Sequence, residues 1–264
     1  ILQPENEFER NILKAIKESG KVLKEMFWED YTVRFKDTKN IVTSADKESE
    51  RVIIEILQKN FPEFNILSEE RGYINRNSEY TWVIDPLDGT TNFKIKNPFF
   101  CSAIALVKKG KVLMSAVNSP FMKEIYFAEK GMGAFLNGEK ISVSRRRMEK
   151  SIITYCTPPK KQTVRASVYA LIALQEKAVD VRRIGAGELE LCYVAAGRVD
   201  AFFVLNFNSP WDVAAGSLIV KEAGGKATNL AGKDWNIEDR NILASNGIIH
   251  EELLRILNRR SETI

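Results

Sequence analysis

Residues 82–93 read Trp-Val-Ile-Asp-Pro-Leu-Asp-Gly-Thr-Thr-Asn-Phe, and this stretch does most to decide the fold and chemistry of the chain. Its apolar start delivers two carboxylates, Asp85 and Asp88, to one loop, and a glycine and two threonines follow where a helix can begin. Carboxylates beside exposed backbone N–H groups bind hard cations and phosphate oxygens together. Pro-Leu-Asp-Gly is also ordinary β-turn chemistry, so this stretch alone leaves both interpretations open.

The composition is that of a folded protein without a membrane span. The chain has 264 residues, of which 44% are hydrophobic and 28% are charged. This length suits one large domain or two of ordinary size. No apolar run approaches the roughly 18 residues of a membrane-spanning helix, and the acidic N-terminus, with Glu5, Glu7 and Glu9, does not resemble a signal peptide. We therefore expect a cytoplasmic protein.

The histidine and cysteine content excludes several kinds of site. His250 is the single histidine, so a Ser-His-Asp triad, a Cys-His dyad or a histidine-ligated zinc would all depend on it. Its polar neighbours predict a surface position in a terminal helix. The three cysteines are scattered, at Cys101, Cys156 and Cys192. We expect buried free thiols there, and oxygen ligands, hence Mg²⁺ or Mn²⁺, for any metal site.

The charge pattern does not favour a nucleic-acid partner. The net charge is +4, and basic and acidic residues are interleaved along the chain. The densest basic run is 145–147, three arginines without aromatic neighbours for base stacking. We interpret this run as a solvated connector, although an excess of positive charge also helps to attract anionic substrates.

The hydrophobic pattern divides the chain into two halves. Helices are expected over 8–26 and 44–61, followed by strands over 65–68, 80–84, 101–107, 111–118 and 124–128, with a hairpin at 108–111. Beyond residue 144, strands over 151–156, 179–184 and 200–205 alternate with helices over 163–178, 187–196 and 212–223. The pattern predicts an α+β first half and an α/β second half, with the boundary near 145–149.

Further carboxylates stand at predicted strand ends and helix starts. Glu69 follows the strand 65–68, Asp46 lies at the start of the helix 44–61, and Asp212 precedes a helix rich in small residues. Each has an ordinary alternative, because Glu69 can be solvated and Asp46 and Asp212 can be helix N-caps. Together they are well placed to converge above a sheet, where open α/β folds bind their ligands.

The order of these motifs resembles the inositol monophosphatase family of Mg²⁺-dependent, lithium-sensitive sugar phosphatases. The stretch 85–93 matches its first signature, Pro-Trp-Asp-Val-Ala-Ala-Gly at 210–216 matches its second, and Glu-Ala-Gly-Gly at 222–225 extends the second. The resemblance implies a layered αβαβα sandwich. Its α+β half over 1–146 carries most metal ligands, and its α/β half over 147–264 carries Asp212 and the substrate-side contacts.

The resemblance also implies roles for individual residues. Glu69, Asp85 and the backbone carbonyl of Leu87 match the ligands of a first metal, and Asp85, Asp88 and Asp212 match those of a second. Glu70 supports a third, weaker ion, so two or three Mg²⁺ ions are expected, with Mn²⁺ as a substitute. The backbone N–H groups of Gly89 and Thr90 match the positions that bind the phosphate. Thr90 and Asp46 match the pair that orients and deprotonates the attacking water, next to the catalytic metal ligand Glu69. Lys36 matches the basic residue on a mobile loop that closes over the site.

The substrate is less well determined. Family members that act on inositol phosphates carry an acidic residue several positions before the Trp-Asp pair, whereas this chain has Val204 and Leu205 there. Glu188, beside Gly187, is a candidate replacement that would bind substrate hydroxyls together with Asp88 and Asp212. Three functions stay open: an inositol monophosphatase, a dual fructose-1,6-bisphosphatase and inositol monophosphatase, and a non-catalytic RNA- or protein-binding regulator. A homodimer is expected by resemblance, and direct attack by water is expected without a phosphoenzyme.

Overall fold

The computed structural model describes residues 6–29, 33–35, 41–157, 161–207 and 209–258. The α-helices are α1 Glu7–Met26, α2 Ser44–Asn60, α3 Thr90–Lys94, α4 Lys161–Gln175, α5 Gly187–Ala195, α6 Ala214–Glu222 and α7 His250–Asn258. The strands are β1 Val33–Phe35, β2 Ile41–Thr43, β3 Asn65–Ser68, β4 Gly72–Ile74, β5 Tyr80–Asp88, β6 Cys101–Lys108, β7 Lys111–Ser119, β8 Glu124–Glu129, β9 Gly133–Leu136, β10 Glu139–Lys140, β11 Ile152–Cys156, β12 Asp180–Arg182, β13 Ala201–Leu205, β14 Lys226–Thr228 and β15 Asn241–Ser245. Short 3₁₀ helices cover Met148–Lys150 and Pro210–Asp212.

The strands form two large sheets and a small ribbon. The first large sheet has eight strands in the order β10-β9-β8-β7-β6-β5-β3-β4, and only the β3–β5 pair is parallel among its described pairs. The second has five strands in the order β12-β11-β13-β15-β14, with β11 parallel to both of its neighbours. The ribbon pairs β1 with β2. The first half is therefore mainly antiparallel, and the second half is mixed.

Side-chain alternation along β6 shows what covers the eight-stranded sheet. Ile104 and Leu106 pack in one buried cluster with side chains of α1 and α2. Ala103 and Ala105 belong to a different cluster, which contains side chains of α5 and α6. Because successive residues of a strand point to opposite faces, helices cover both faces of this sheet.

The same alternation along β13 shows which helices cover the two faces of the five-stranded sheet. Phe202 and Val204 of β13 join the cluster that contains α5 and α6, whereas Phe203 and Leu205 pack with α4 and α7. The layers therefore follow the order α1/α2, eight-stranded sheet, α5/α6, five-stranded sheet, α4/α7. This order confirms the predicted αβαβα sandwich. The division at residue 146 stays a prediction, and the cluster around α5 and α6 contains side chains from both halves.

Several predicted elements have the expected bounds. Helices α1 and α2, strand β3 and the 108–111 hairpin match within one or two residues. The predicted helix over 212–223 is interrupted instead: a 3₁₀ turn ends at Asp212, and α6 begins at Ala214. Within the described residues, no helix has both the length and the apolar composition of a membrane span.

The prediction of a surface position for His250 is wrong. Its side chain is 1% exposed, and each ring nitrogen lies 2.8 Å from a hydroxyl oxygen, Nε2 from Thr228 and Nδ1 from Ser245. Both partners lie on neighbouring strands of the five-stranded sheet, which chain-local polarity does not reveal. Burial lowers the pKa of His250 to about 4, so the ring is neutral near pH 7.

We expect His250 to make the protein less stable in mild acid. Its pKa is about 4 in the fold and 6.5 as the ordinary value, so the unfolded chain binds the extra proton between these pH values. This loss in the free energy of unfolding is nearly absent above pH 6.5 and amounts to about 2 kcal/mol at pH 5. Urea unfolding at pH 7.5 and pH 5 tests this: His250→Gln should show a pH dependence smaller by about that amount. An equal change in unfolding free energy between the two pH values for both proteins would contradict a lowered pKa of His250.

The basic run at 145–147 is only in part a solvated connector. Arg146 donates from Nε to both carboxylate oxygens of Asp200, at 2.9 and 3.0 Å, and from Nη2 to the Gly197 carbonyl. Asp200 is fully buried and also accepts from the backbone N–H of Ile152 at 2.8 Å. Arg145 and Arg147 are exposed, as expected. Arg146 therefore ties the connector to the five-stranded sheet.

Candidate active site

Hydroxyl groups of two helices hold the C-terminal end of β5, residues 85–88. Ser49 of α2 donates to the Pro86 carbonyl at 2.7 Å, and its oxygen lies 2.8 Å from the hydroxyl of Ser19 in α1. Asp85 is 3% exposed, and its Oδ1 accepts from the Leu87 N–H at 3.0 Å. The two helices thus fix the backbone that carries Asp85 and Leu87.

Asp88 serves as a cap for a distant helix. Its Oδ1 accepts from the Gly187 N–H at 3.1 Å, and its Oδ2 accepts from the N–H groups of Glu188 and Leu189 at 2.7 and 3.4 Å. These are the first N–H groups of α5, which has no side-chain cap of its own. Such groups lack partners inside the helix and favour a nearby carboxylate. Burial raises the pKa of Asp88 to about 6, and these hydrogen bonds oppose the rise.

Gly89 is required by backbone conformation and by packing. Its φ is +87°, the left-handed region that disfavours residues with a Cβ. A Cβ there would lie 3.1 Å from Ala186 Cβ, 3.2 Å from the Phe99 carbonyl oxygen and 3.3 Å from Phe100 Cβ. The turn at Gly89 therefore sits directly against the segment before α5 and starts α3 at Thr90.

We expect Gly89→Ala to reduce both stability and activity. The left-handed backbone alone costs about 1–2 kcal/mol for alanine, and the crowded Cβ adds to this cost while displacing Asp88 and Thr90. Gly131→Ala is the matched control, because Gly131 has a φ of +84° and a Cβ added there would meet nothing within 4 Å. Urea unfolding and phosphate release should show a larger stability loss and at least about a tenfold activity loss for Gly89→Ala only. Equal effects would refute the packing argument.

Thr90 and Asp46 meet at the start of two helices. The Thr90 Oγ1 lies 3.2 Å from Asp46 Oδ1 and 3.0 Å from the Leu87 carbonyl oxygen. Asp46 also accepts from the Thr43 N–H at 2.7 Å, in a capping box whose N-cap is Thr43. The alternative that Asp46 is itself the N-cap is therefore wrong: the N-cap is Thr43, and Asp46 completes its capping box at the third helical position. Burial raises the pKa of Asp46 to about 7, with the charges of Glu69 and Glu70 acting in the same direction.

The Glu69-Glu70 pair follows β3 and is held by a buried carboxylate of α2. Glu50 accepts from the Glu70 N–H at 3.0 Å and from the Arg71 N–H at 3.2 Å. Its other oxygen lies 3.5 Å from Arg71 Nε. Glu69 is partly buried and is among the charges that raise the pKa values of Asp46 and Asp85.

Asp212 reaches the site from the second half of the chain. It ends the 3₁₀ turn before α6, and its N–H donates to the Ser209 carbonyl at 3.0 Å. A Cβ on Gly187 would lie 3.1 Å from the Asp212 backbone oxygen. The start of α5 therefore packs directly on the segment that carries Asp212, which gives Gly187 a packing reason for having no side chain.

Glu188 and Glu190 are not solvated helix positions, because both side chains are fully buried. Glu188 accepts from the N–H groups of Ala215 and Gly216 at 2.9 and 2.5 Å. Glu190 accepts from those of Gly185 and Ala186 at 2.9 and 3.2 Å. The structure thus directs Glu188 towards α6 and leaves it no exposed surface for the substrate hydroxyls assigned to it from the sequence.

Sequence reasoning missed the role of Asn92. Its Nδ2 lies 2.8 Å from the Phe99 carbonyl and 3.0 Å from the Ile184 carbonyl, so it joins α3 to the turn before α5. Its place inside the 82–93 stretch is the signal that could have identified it. Lys36, the expected mobile-loop residue, lies outside the described residues.

We call Glu69, Asp85, Asp88 and Asp212 the acidic cluster. Burial is the main reason that the pKa of Asp85 lies well above its usual range, and the charges of Glu69, Asp88 and Asp212 raise it further, followed by Glu188. Carboxylates that raise one another's pKa stand close together. The structure thus brings together four acidic residues that are spread over the sequence.

The chemistry of the acidic cluster fits a hard divalent cation. All its donors are oxygens, and the Leu87 carbonyl adds another, which is the ligand type that Mg²⁺ and Mn²⁺ prefer. Within the part of the chain that the structure describes, no three acidic, histidine or cysteine side chains form a ready-made metal cage. Asp85 Oδ1 and the Leu87 carbonyl instead take part in hydrogen bonds. Cation binding would therefore exchange these hydrogen bonds for coordination.

Two of the three cysteine side chains are buried, as expected. Cys101 and Cys192 have no exposed surface, whereas Cys156 is partly exposed, and all three are free. Burial holds the pKa of each thiol well above its usual range. Thiolate nucleophilic chemistry is disfavoured by these shifts.

Comparison with known proteins gives consistent matches along the chain. The family model described as the inositol monophosphatase family matches residues 5–262. A Thermotoga maritima protein named fructose-1,6-bisphosphatase/inositol-1-monophosphatase is 39% identical over 226 residues, which cover 86% of each chain. A Pasteurella multocida protein named Nus factor SuhB is 36% identical over 247 residues, 92% of each chain. The crystal structure of extragenic suppressor protein suhB from Bartonella henselae has a TM-score of 0.91 at 34% identity and covers 96% of this chain and 99% of that one.

Proposed function

Because this chain belongs to the inositol monophosphatase family, we propose that it is a Mg²⁺-dependent phosphatase that hydrolyses inositol monophosphates by direct attack of water. The observation that carries the proposal is the convergence of Glu69, Asp88 and Asp212 on the buried Asp85 carboxylate. A group of carboxylates around one buried position suits cations that in turn attract a phosphate dianion. The proposal covers the substrate, the metal and the mechanism.

The acidic cluster supplies the metal ligands in this proposal. Glu69, Asp85 and the Leu87 carbonyl would hold one ion, and Asp85, Asp88 and Asp212 would hold a second. When bound, Mg²⁺ lowers the pKa of a coordinated water and neutralises phosphate charge. Asp85 belongs to both groups of ligands, so its fixed position near the end of β5 would determine how far apart the two ions are held.

The water is oriented and deprotonated by Thr90 and Asp46. The two side chains are 3.2 Å apart, within hydrogen-bond reach of a common water molecule. The Asp46 carboxylate accepts a hydrogen bond from the Thr90 hydroxyl, so it is placed to take up a proton that Thr90 passes on from the water. Gly89 and Thr90 offer backbone N–H groups to the phosphate oxygens, which stabilises the charge of the transition state.

A dual specificity for inositol phosphates and fructose 1,6-bisphosphate is the second candidate. The sequence lacks the acid expected before Trp211, and the structure places both candidate positions in the core, Val204 facing α5 and α6 and Leu205 facing α4 and α7. No carboxylate at either position is therefore available to select inositol hydroxyls. The Thermotoga maritima relative is named for both activities, which supports testing both substrates.

Phosphate release with Mg²⁺ at about millimolar concentration tests the proposal. Inositol 1-phosphate and fructose 1,6-bisphosphate are compared in parallel, with EDTA as the metal-free control. Release from inositol 1-phosphate alone supports the first candidate, and comparable release from both supports dual specificity. Absence of Mg²⁺-dependent release from either would contradict both candidates and favour another phosphate ester as the substrate or a non-catalytic binding role.

A further inference from the structure

Helices α5 and α6 both begin without a side-chain cap of their own. Their N-cap residues are Ala186 and Val213, neither of which has an oxygen in its side chain. The first N–H groups of a helix have no intrahelical partner, and in a buried location each needs an acceptor. Both helices lie in the middle layer, between the sheets, so the acceptors must come from other parts of the protein.

Each helix receives its acceptor from a carboxylate elsewhere in the chain. Asp88 accepts from the first three N–H groups of α5. Glu188, in the first turn of α5, accepts in turn from Ala215 and Gly216 in the first turn of α6. A continuous path of hydrogen bonds thus runs from Asp88 at the end of β5, through α5, to the first turn of α6, next to Asp212.

We propose that Glu188 is a positioning residue that holds Asp212 at a fixed place relative to Asp88. The inference rests on the proposed function in treating these two aspartates as ligands of one metal ion. They come from different halves of the chain, and the start of α5 contacts both segments: its N–H groups bind Asp88, and Gly187 packs on the Asp212 backbone. Glu188 completes this junction by holding the helix that follows Asp212.

The packing around Glu188 leaves little freedom for another arrangement. Its side chain has no exposed surface. A Cβ on Gly216 would lie 2.8 Å from Glu188 Oε2 and 2.4 Å from Leu191 Cβ, so α5 and α6 approach each other closely at this point. Water is thereby excluded from replacing the carboxylate as acceptor. Loss of the carboxylate leaves the buried N–H groups of Ala215 and Gly216 without an acceptor. Because such groups are costly, α6 would shift to bring them to another acceptor.

The test compares Glu188→Gln and Glu188→Asp with the wild-type protein. Glutamine keeps the size but replaces one acceptor oxygen by an N–H donor, and aspartate keeps the charge but is one methylene too short. Hydrogen exchange of the backbone amides over 210–217 is measured without metal, and Mg²⁺ affinity is measured by calorimetry without substrate. We expect faster exchange over 210–217 and Mg²⁺ binding weaker by about 10–100-fold in both variants, the range for residues that orient metal ligands.

Glu222→Gln is the matched control. Glu222 is the last residue of α6 and also accepts from two backbone N–H groups, those of Gly131 and Gly133 at 2.9 and 3.0 Å, but at the far end of the helix. The same substitution there should leave Mg²⁺ affinity and the exchange over 210–217 at the wild-type level. A general loss of stability would instead affect the control and the Glu188 variants alike.

The outcomes separate this inference from the proposed function. Wild-type Mg²⁺ affinity in Glu188→Asp with weak binding in Glu188→Gln would mean that charge alone matters, and would overturn the positioning role. Unchanged exchange over 210–217 in both variants would overturn it as well. If the wild-type protein binds no Mg²⁺, the proposed function fails, while faster exchange in both variants would still support the positioning of the Asp212 segment.

Discussion

Asp85→Asn is expected to abolish most phosphatase activity and to make the metal-free protein more stable. Asparagine retains Oδ1 as the acceptor for the Leu87 N–H, so the loop keeps its hydrogen bond. The substitution removes a buried carboxylate whose pKa is raised by burial and by Glu69, Asp88 and Asp212. Activity should fall by roughly 10²–10³-fold or more, as it does when one preorganised charge-stabilising group is removed.

The gain in stability has a defined pH dependence. A carboxyl group with a raised pKa in the fold destabilises the folded state as pH rises above its ordinary value of 3.8. Asparagine removes this cost, so the stability difference should be present at pH 7 in EDTA and should shrink as the pH approaches about 4. Thermal unfolding in EDTA and in Mg²⁺ measures both effects, and Mg²⁺ should stabilise the variant less than the wild-type protein.

Asp88→Asn provides the comparison. The sequence alone predicts a loss of turnover by orders of magnitude with the fold intact. The structure adds that Asp88 accepts from three N–H groups of α5 through both oxygens, and asparagine has one acceptor oxygen only. Burial also raises the pKa of Asp88, to about 6, so asparagine removes a charge cost at pH 7 as well as part of a helix cap worth about 1 kcal/mol. We therefore expect a loss of activity and, in EDTA, a smaller gain in stability than for Asp85→Asn. Near-normal activity in either variant would refute the assignment of the acidic cluster as a metal site.

Asp200→Ala is expected to cause the largest loss of stability, about 3 kcal/mol or more. The fully buried carboxylate accepts from Arg146 and from the Ile152 N–H, and hydroxyl and amide groups of Ser144 and Asn246 also contact it. Its removal takes the acceptor from Arg146 Nε, the Ile152 N–H and the Ser144 hydroxyl, whereas Asn246 keeps its bonds to Ser144 and the Arg146 carbonyl. Urea unfolding at pH 7 measures the change, and the activity of the folded protein should be nearly unchanged, because Asp200 does not contact the acidic cluster.

Asp234→Ala is the matched control for Asp200→Ala. Asp234 forms an ion pair with Lys221 at 2.8 Å, but its side chain is 78% exposed. Exposed pairs contribute little, so a change within about 0.5 kcal/mol is expected. A similar effect of both substitutions would show that the buried network around Asp200 has no special importance for the fold.

Much of the architecture was predictable from local patterns. The amphipathic spacing of α1 and α2 and the apolar run of β3 depend on neighbouring residues, and their predicted bounds are close to those observed. Strand β5, predicted to end at 84, continues to Asp88. The strands β14 and β15 were not predicted. They are short, and β15 completes the sheet by pairing with β13, a contact that no periodicity reveals.

The family, the layered fold class and the composition of the acidic cluster could be inferred from the sequence, because motif order and turn chemistry are properties of the chain. What the buried polar groups do was decided by tertiary packing. Asp88 accepts from N–H groups 99–101 residues away, and Glu188 accepts from N–H groups 27 and 28 residues away. His250 likewise finds its partners on two strands, and Arg146 finds its partner in Asp200, 54 residues away. A polar residue is identical in sequence whether it faces water or a distant helix, and only packing determines which of these it meets.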